Sequence, residues 1–244
     1  MRGHDIVVVG TSAGGVEALR VLLRGLPADL PAAIFVVMHL APHAPSYLAE
    51  VLLKAGRLPA AVVDQPVRFR PGRVYVAPPD HHLILNRTHV RISRGPRENW
   101  HRPSVDVLFR SAAQSLGPRV VGIVLTGFLD DGSAGLAAIQ NEGGVTIVQD
   151  PDDAPFPDMP LNALENVKVD YCLPLSEIPG TVVRLSELAP GHRNGSSASR
   201  EAAIENAFAE NAVMNGRKAL DKIGRPSTFT CPECQGPLWE LRDH

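Results

Sequence analysis

Ile6-Val-Val-Val-Gly-Thr-Ser-Ala-Gly-Gly15 is the stretch on which the fold turns. Residues 6–9 are apolar and β-branched without alternation, which suits a parallel strand buried on both faces. A glycine-rich turn follows at once. Beyond it a helical pattern begins near Ala13, with Val16, Leu19, Leu22 and Leu23 on one face. The same order recurs down the chain. Residues 33–38 precede a loop with Pro42 and Pro45, then a helix over 46–54. Residues 120–125 precede a turn over 127–132 and a helix over 134–141, and the apolar run 145–148 follows directly. Strand and helix in alternation predict an α/β parallel sheet. The middle differs: residues 73–77, 82–86 and 90–93 are short, partly alternating runs between turn sequences. They read as a small antiparallel β insertion. A helix over 104–115, opening on Pro103, returns the chain to the main sheet.

The bulk properties narrow the function. The chain has 244 residues, 44% of them hydrophobic, enough for one α/β domain and a short appendage. A net charge of −2 without any basic block argues against nucleic acid and membrane surfaces as partners. With 5% aromatic residues, platforms for stacking bases are not expected. No apolar run reaches the roughly 18 residues of a membrane span, and the first run is too short for a signal peptide. Cytoplasmic residence is the resulting expectation. The three cysteines are Cys172, Cys231 and Cys234; an odd count argues against a disulfide framework. Cys172 reads as a buried core residue. Past Leu188 a Pro-, Gly- and Ser-rich linker composition appears. The expected division is a catalytic domain over 1–188, a linker with a helix (about 201–220) over 189–226, and a Cys-x-x-Cys tail over 227–244.

Gly10-Thr-Ser-Ala-Gly14 matches G-x-S-x-G between a strand and a helix, the context of a nucleophile elbow at Ser12. Flanking glycines let the backbone turn sharply, and the helix N-terminus aims N–H groups near Ala13 at the place an oxyanion forms. A phosphate-holding turn is an even competitor on these residues alone, although neither G-x-G-x-x-G nor a P-loop is present. A serine needs a base. His39 follows the run 33–38 at its C-terminal end, the edge where parallel sheets gather their sites. His43, His81 and His82 read as loop or insertion residues, and His4, His89, His192 and His244 as surface or tail residues. The orienting acid is Asp130 or Asp131, after the run 120–125; its carboxylate is expected to accept from imidazole Nδ1. A helix cap is the alternative for either aspartate, and spacing does not choose. The order Ser, His, Asp differs from the Ser, Asp, His order of ordinary α/β-hydrolases.

Several separated blocks share a resemblance. They are Gly10-Thr-Ser-Ala-Gly-Gly15, Val37-Met-His-Leu40, Gly72-Arg-Val-Tyr-Val-Ala-Pro-Pro-Asp80, Arg102-Pro-Ser-Val-Asp-Val-Leu-Phe-Arg-Ser111, Leu125-Thr-Gly-Phe-Leu-Asp-Asp-Gly132 and Leu173-Pro-Leu-Ser-Glu-Ile-Pro179. In this order, over residues 5–187, the chain resembles the catalytic domain of CheB-type chemotaxis protein-glutamate methylesterases. The resemblance implies a doubly wound, Rossmann-like three-layer domain with Ser12 as nucleophile, His39 as base and Asp131 as acid. It implies hydrolysis of γ-glutamyl methyl esters on methyl-accepting chemotaxis receptors, with methanol released, and glutamine deamidation on the same receptors. The receiver domain of typical members has no counterpart, so a stand-alone domain is expected. Four positions depart from the family pattern: Ala13 stands where a threonine is usual, Phe128-Leu129 where Met-Gly is usual, and Asp158 where a glycine precedes Met-Pro.

Ala13, Phe128 and Arg102 are therefore candidates for oxyanion or substrate contact. Arg102, Ser104 and Asp106 are weighed against a structural role at a helix start, which the residue types favour. A non-catalytic scaffold that keeps the fold is the competing function, and the intact Ser, His and Asp argue against it. No cofactor is implied. Cys231-Pro-Glu-Cys234 supplies two of the four ligands that a structural zinc needs, so the sequence expects no zinc there unless two chains share a site.

Overall fold

The computed structural model describes residues 3–40, 46–188, 224–230 and 237–241. Its centre is a seven-stranded sheet. The strands are β1 (Ile6–Thr11), β2 (Ala33–Met38), β3 (Ala60–Val62), β5 (Arg73–Val76), β8 (Val120–Val124), β9 (Val145–Gln149) and β10 (Tyr171–Leu173), in the order β10-β9-β8-β1-β2-β5-β3. Every pairing in it is parallel. β1, β2, β8 and β9 are buried along their whole length, which explains their largely apolar sequences.

Successive residues of each strand feed opposite cores, as the pleat requires. Val7 and Val9 pack with Leu19, Leu22 and Leu23 of α1 (Gly15–Arg24), Leu48 and Leu52 of α2 (Leu48–Ala55) and Val182 of α6 (Ile178–Glu187). Ile6 and Val8 pack with Leu108 and Phe109 of α3 (Val105–Leu116), Leu136 and Ile139 of α4 (Ser133–Asn141) and Ala163 of α5 (Asp158–Asn166). The result is a helix–sheet–helix sandwich, with each fully buried Leu or Phe contributing roughly 1.5–3 kcal/mol. From β1 the chain builds outward through β2 on one side and through β8 on the other. The crevice at the C-terminal ends of β1 and β8 is thus the topological switch point where such sheets carry ligands.

Several expectations are corrected. The run 73–77 belongs to the main sheet: β5 pairs parallel with β2, from Ala33↔Arg73 to Val36↔Val76. Val74, Tyr75 and Val76 are consecutive and all buried, so both faces of the strand are covered. The antiparallel insertion is β4 (Val67–Arg68), β7 (His89–Ser93) and β6 (His82–Leu85) in that order. Helix α1 begins at Gly15, and Val16 lies at the rim of its buried arc, 41% exposed. Cys172 is exposed, because β10 is a short edge strand whose Tyr171 and Leu173 pack against the core while the residue between them faces outward. His4 is buried, with its N–H donating to Leu185 O at 3.1 Å. In the tail, β11 (Gly224–Thr230) and β12 (Pro237–Leu241) pair antiparallel. The expected helix over 201–220, together with His43, His192, His244 and the Cys231/Cys234 pair, lies outside the described residues. Among the described residues no helix is long and apolar enough to cross a membrane, and no three His, Cys, Asp or Glu side chains are grouped to hold a metal.

Candidate active site

Backbone register brings the key residues to one edge. β1 and β2 pair through Thr11↔Met38, and His39 N–H donates to Thr11 O at 3.2 Å, so Ser12 and His39 leave adjacent strands side by side. On the other flank Ser12 N–H donates to Thr126 O at 3.0 Å, tying the serine to the end of β8. Gly127 presses against it. A Cβ at Gly127 would lie 2.7 Å from the Ser12 Cβ and 2.2 Å from Met159 Sδ, so no other residue fits without displacing the turn. Gly14 caps α1 with φ +76°, a left-handed conformation that favours glycine. Thr126 completes the support: its Oγ1 is 3.1 Å from Ala13 O and 3.2 Å from Phe156 O, and it accepts from Phe156 N–H at 3.0 Å.

The geometry separates the two adjacent aspartates. Asp131 Oδ2 lies 2.7 Å from His39 Nε2, and both side chains are buried. Asp130 is exposed, and its carbonyl accepts from Ser133 N–H in the turn before α4. The ring nitrogen used differs from expectation. His39 presents Nε2 to the carboxylate, not Nδ1, and Nδ1 is buried with no partner among the described residues. A carboxylate fixes Nε2 as the protonated nitrogen, so Nδ1 carries the lone pair.

Asp131 receives four further donors. Oδ2 also accepts from Val105 N–H at 2.7 Å; Oδ1 accepts from Ser104 Oγ at 2.9 Å, Asp106 N–H at 3.1 Å and Asn99 Nδ2 at 3.1 Å. The first turn of α3 thus delivers its N–H groups to this carboxylate, a favourable place for negative charge. Burial by itself would raise the Asp131 pKa. The hydrogen bond and charge of His39, with the α3 amides, reverse this and hold it below the usual value. Asp106 lies beside it, with Oδ1 accepting from Gly132 and Gly135 N–H at 3.0 and 2.6 Å. Burial, and then the charge of Asp131, push the Asp106 carboxyl up. Asn99 Nδ2 bridges the two carboxylates, 2.8 Å from Asp106 Oδ2.

Ser104 and Asp106 are therefore ties that hold Asp131, in line with the structural reading of their block. Arg102 is committed elsewhere. Its Nε and Nη2 donate to Asp80 Oδ1 at 3.0 and 2.7 Å, and Nη1 donates to Gly95 O at 2.8 Å. Phe128 is about half exposed, with its ring edge-on to Phe156 at 4.7 Å. Leu129, standing where a glycine is usual, has φ +67°. Three participants had no signal in spacing: Thr126, Asn99 and His101. The His101 ring stacks on His39 at 3.5 Å and 6°. Its proximity to the Arg102-Pro-Ser block was the one hint.

Residues 7–182 match the profile of the CheB methylesterase family. The chain belongs to the CheB methylesterase family. A relative from Leptospira interrogans is 35% identical over 185 residues, covering 75% of this chain and 96% of the relative. A protein-glutamate methylesterase/protein-glutamine glutaminase of Anaeromyxobacter dehalogenans is 41% identical over 182 residues; there the match covers 75% of this chain and 53% of the longer relative. The crystal structure of the Thermotoga maritima CheB methylesterase catalytic domain superposes with a TM-score of 0.71 at 31% identity, covering 74% of this chain and 98% of that domain. The doubly wound fold with its small antiparallel sheet is thus the family's fold.

Proposed function

We propose that this CheB-family protein hydrolyses γ-glutamyl methyl esters on the signalling helices of chemoreceptors in the cytoplasm, releasing methanol, and deamidates glutamines on the same helices. The observation that carries the reading is the His39 ring. Nε2–H is held by Asp131, and the buried Nδ1 has no described partner. Ser12, one residue beyond the backbone contact to His39, supplies the hydroxyl for that nitrogen. Nδ1 takes the Ser12 proton as Oγ attacks the ester carbonyl. Asp131 stabilises the imidazolium that forms. The oxyanion faces the N-terminus of α1, where the Ala13 N–H makes no hydrogen bond to a described residue. Collapse breaks the acyl C–O bond to methoxide, which takes the proton from Nδ1 and leaves as methanol. Water repeats the cycle on the acyl-serine and frees the glutamate. With glutamine the leaving group is ammonia.

The test is methanol release from methyl-esterified receptor fragments, comparing wild type with Ser12→Ala. Wild-type turnover with at least a thousand-fold loss in the variant is expected; equal release by the two proteins refutes the reading. A fluorophosphonate probe separates it from the scaffold alternative, because only an activated Ser12 becomes labelled.

A further inference from the structure

The turn Glu98–His101 is tied down at three of its four residues. Glu98 and His101 exchange backbone hydrogen bonds at 3.1 and 2.8 Å, closing a two-residue hairpin loop. Glu98 Oε2 pairs with Arg110 Nη2 at 2.6 Å. Asn99 holds Asp131 and Asp106, and His101 stacks on His39. The fourth residue, Trp100, points away: it is 74% exposed and makes no aromatic contact.

Its backbone is costly as well. The two central residues of the loop have φ +49° and +67°, the signature of a type I′ turn, whose preferred sequence is Asn-Gly. Asn99 fits. Trp100 occupies the glycine position in a left-handed conformation that bulky residues avoid. Four non-glycine residues among those described have positive φ: Asp80, Asn99, Trp100 and Leu129. Asp and Asn tolerate it; Trp and Leu do not. Trp100 and Leu129 are also both apolar, both more than half exposed, and both within two residues of a group bonded in the Asp131 cluster. Strain kept in an exposed apolar side chain beside a reactive centre points to use by a ligand, since the fold gains nothing from the ring.

We propose that Trp100 is a specificity residue, its indole gripping an apolar side chain on the helical substrate that presents the methyl ester to Ser12. The proposal rests on the methylesterase reading above. Both sequence neighbours of Trp100 touch the His39–Asp131 pair, so the exposed indole is anchored one residue from groups that touch the site. On an amphipathic helix an apolar residue recurs three or four positions from the modified glutamate, within reach of such an arm. A small free ester lacks that flank and does not reach the ring.

The test compares two substrates. One is a synthetic helical coiled-coil peptide with a single γ-methyl-glutamate; the other is p-nitrophenyl acetate. Trp100→Gly suits the left-handed turn and is expected to lower the ratio of peptide to small-ester kcat/KM by about ten-fold, while Trp100→Phe keeps most of it. The sequence holds two tryptophans, Trp100 and Trp239, so Trp239→Phe leaves Trp100 as the sole emitter. In that background, with Ser12→Ala, adding the peptide is expected to shift emission to the blue. An unchanged ratio, a parallel loss on both substrates, or an unshifted emission overturns the proposal; a parallel loss would mean that the turn acts only through the geometry of His39 and Asp131. Wild-type cleavage of the small ester without the peptide refutes the methylesterase reading, and cleavage of neither refutes the assignment of Ser12; the grip proposal falls in both cases.

Discussion

Asp131→Asn keeps the shape of the side chain and removes half of its acceptor capacity, so its effect can be worked out bond by bond. Oδ1 serves Ser104 Oγ, Asp106 N–H and Asn99 Nδ2; Oδ2 serves His39 Nε2 and Val105 N–H. The amide loses least with its oxygen at the Oδ1 position and its NH2 at the Oδ2 position. There the NH2 meets two donors. His39 can adapt by carrying its proton on Nδ1 and accepting through Nε2. Val105 N–H cannot adapt and becomes a buried donor without an acceptor, at about 1–3 kcal/mol. Exchanging a charged acceptor for a neutral one at the other three bonds adds to this, so a total loss of about 2–4 kcal/mol is expected at pH 7. The tautomer change is worse for chemistry. Nδ1, which faces the serine in the proposed mechanism, now carries a hydrogen and cannot take another, and turnover is expected to fall ~10⁴-fold. Denaturant unfolding gives the first number, and methanol release from a methylated receptor fragment gives the second. A folded Asp131→Asn protein within ten-fold of wild-type turnover refutes the assignment of roles to the two ring nitrogens. Undiminished stability refutes the account of the Asp131 hydrogen bonds.

His82 gives the fold an acid limit. It is fully buried, with Nε2–H donating to Pro96 O at 2.7 Å and Nδ1 accepting from Ser104 N–H at 3.2 Å, and burial lowers its pKa from the usual 6.5 to about 4. The unfolded chain therefore binds the extra proton first, so stability is complete above pH 6.5 and declines by about 3 kcal/mol as the pH falls toward 4. His82→Gln, measured by urea midpoints across that window, should flatten the slope; an unchanged slope would assign the acid limit to other groups. Ser104→Ala removes one of the five donors to Asp131 and should cost about 1 kcal/mol, with turnover held within about ten-fold by the other four. Gly127→Ala forces a methyl between Met159 and Ser12; a stability loss of about 1–3 kcal/mol is expected, together with lost esterase activity in the fraction that remains folded. Normal activity in that fraction would show that the Ser12 turn tolerates displacement.

Local sequence determined a good part of this protein. Unbroken β-branched runs announced buried parallel strands, because such residues need cover on both faces. The Gly10–Gly15 stretch announced the Ser12 turn, because only glycines allow that bend and the close approach of Gly127. Those signals lie within a few residues of the structure they produce. For one short strand the signal failed. Residues 74–76 are apolar in succession, yet their short length hid that β2, forty residues earlier, claims them as a parallel neighbour. The site depended still more on distance. His39 and Asp131 are 92 positions apart, and α3, which arrives from the far side of the antiparallel insertion, supplies the amides that stabilise the carboxylate. Spacing left Asp130 and Asp131 open and the resemblance implied Asp131; the packed sheet supplies the physical reason, turning Asp131 inward to His39 and Asp130 out to solvent. It also put Nε2, not Nδ1, against the Asp131 carboxylate. The turn that brings Asn99, Trp100 and His101 to the site reads in sequence as an ordinary polar loop. Its meaning comes from contacts to residues 7 to 62 positions away, which no local pattern encodes.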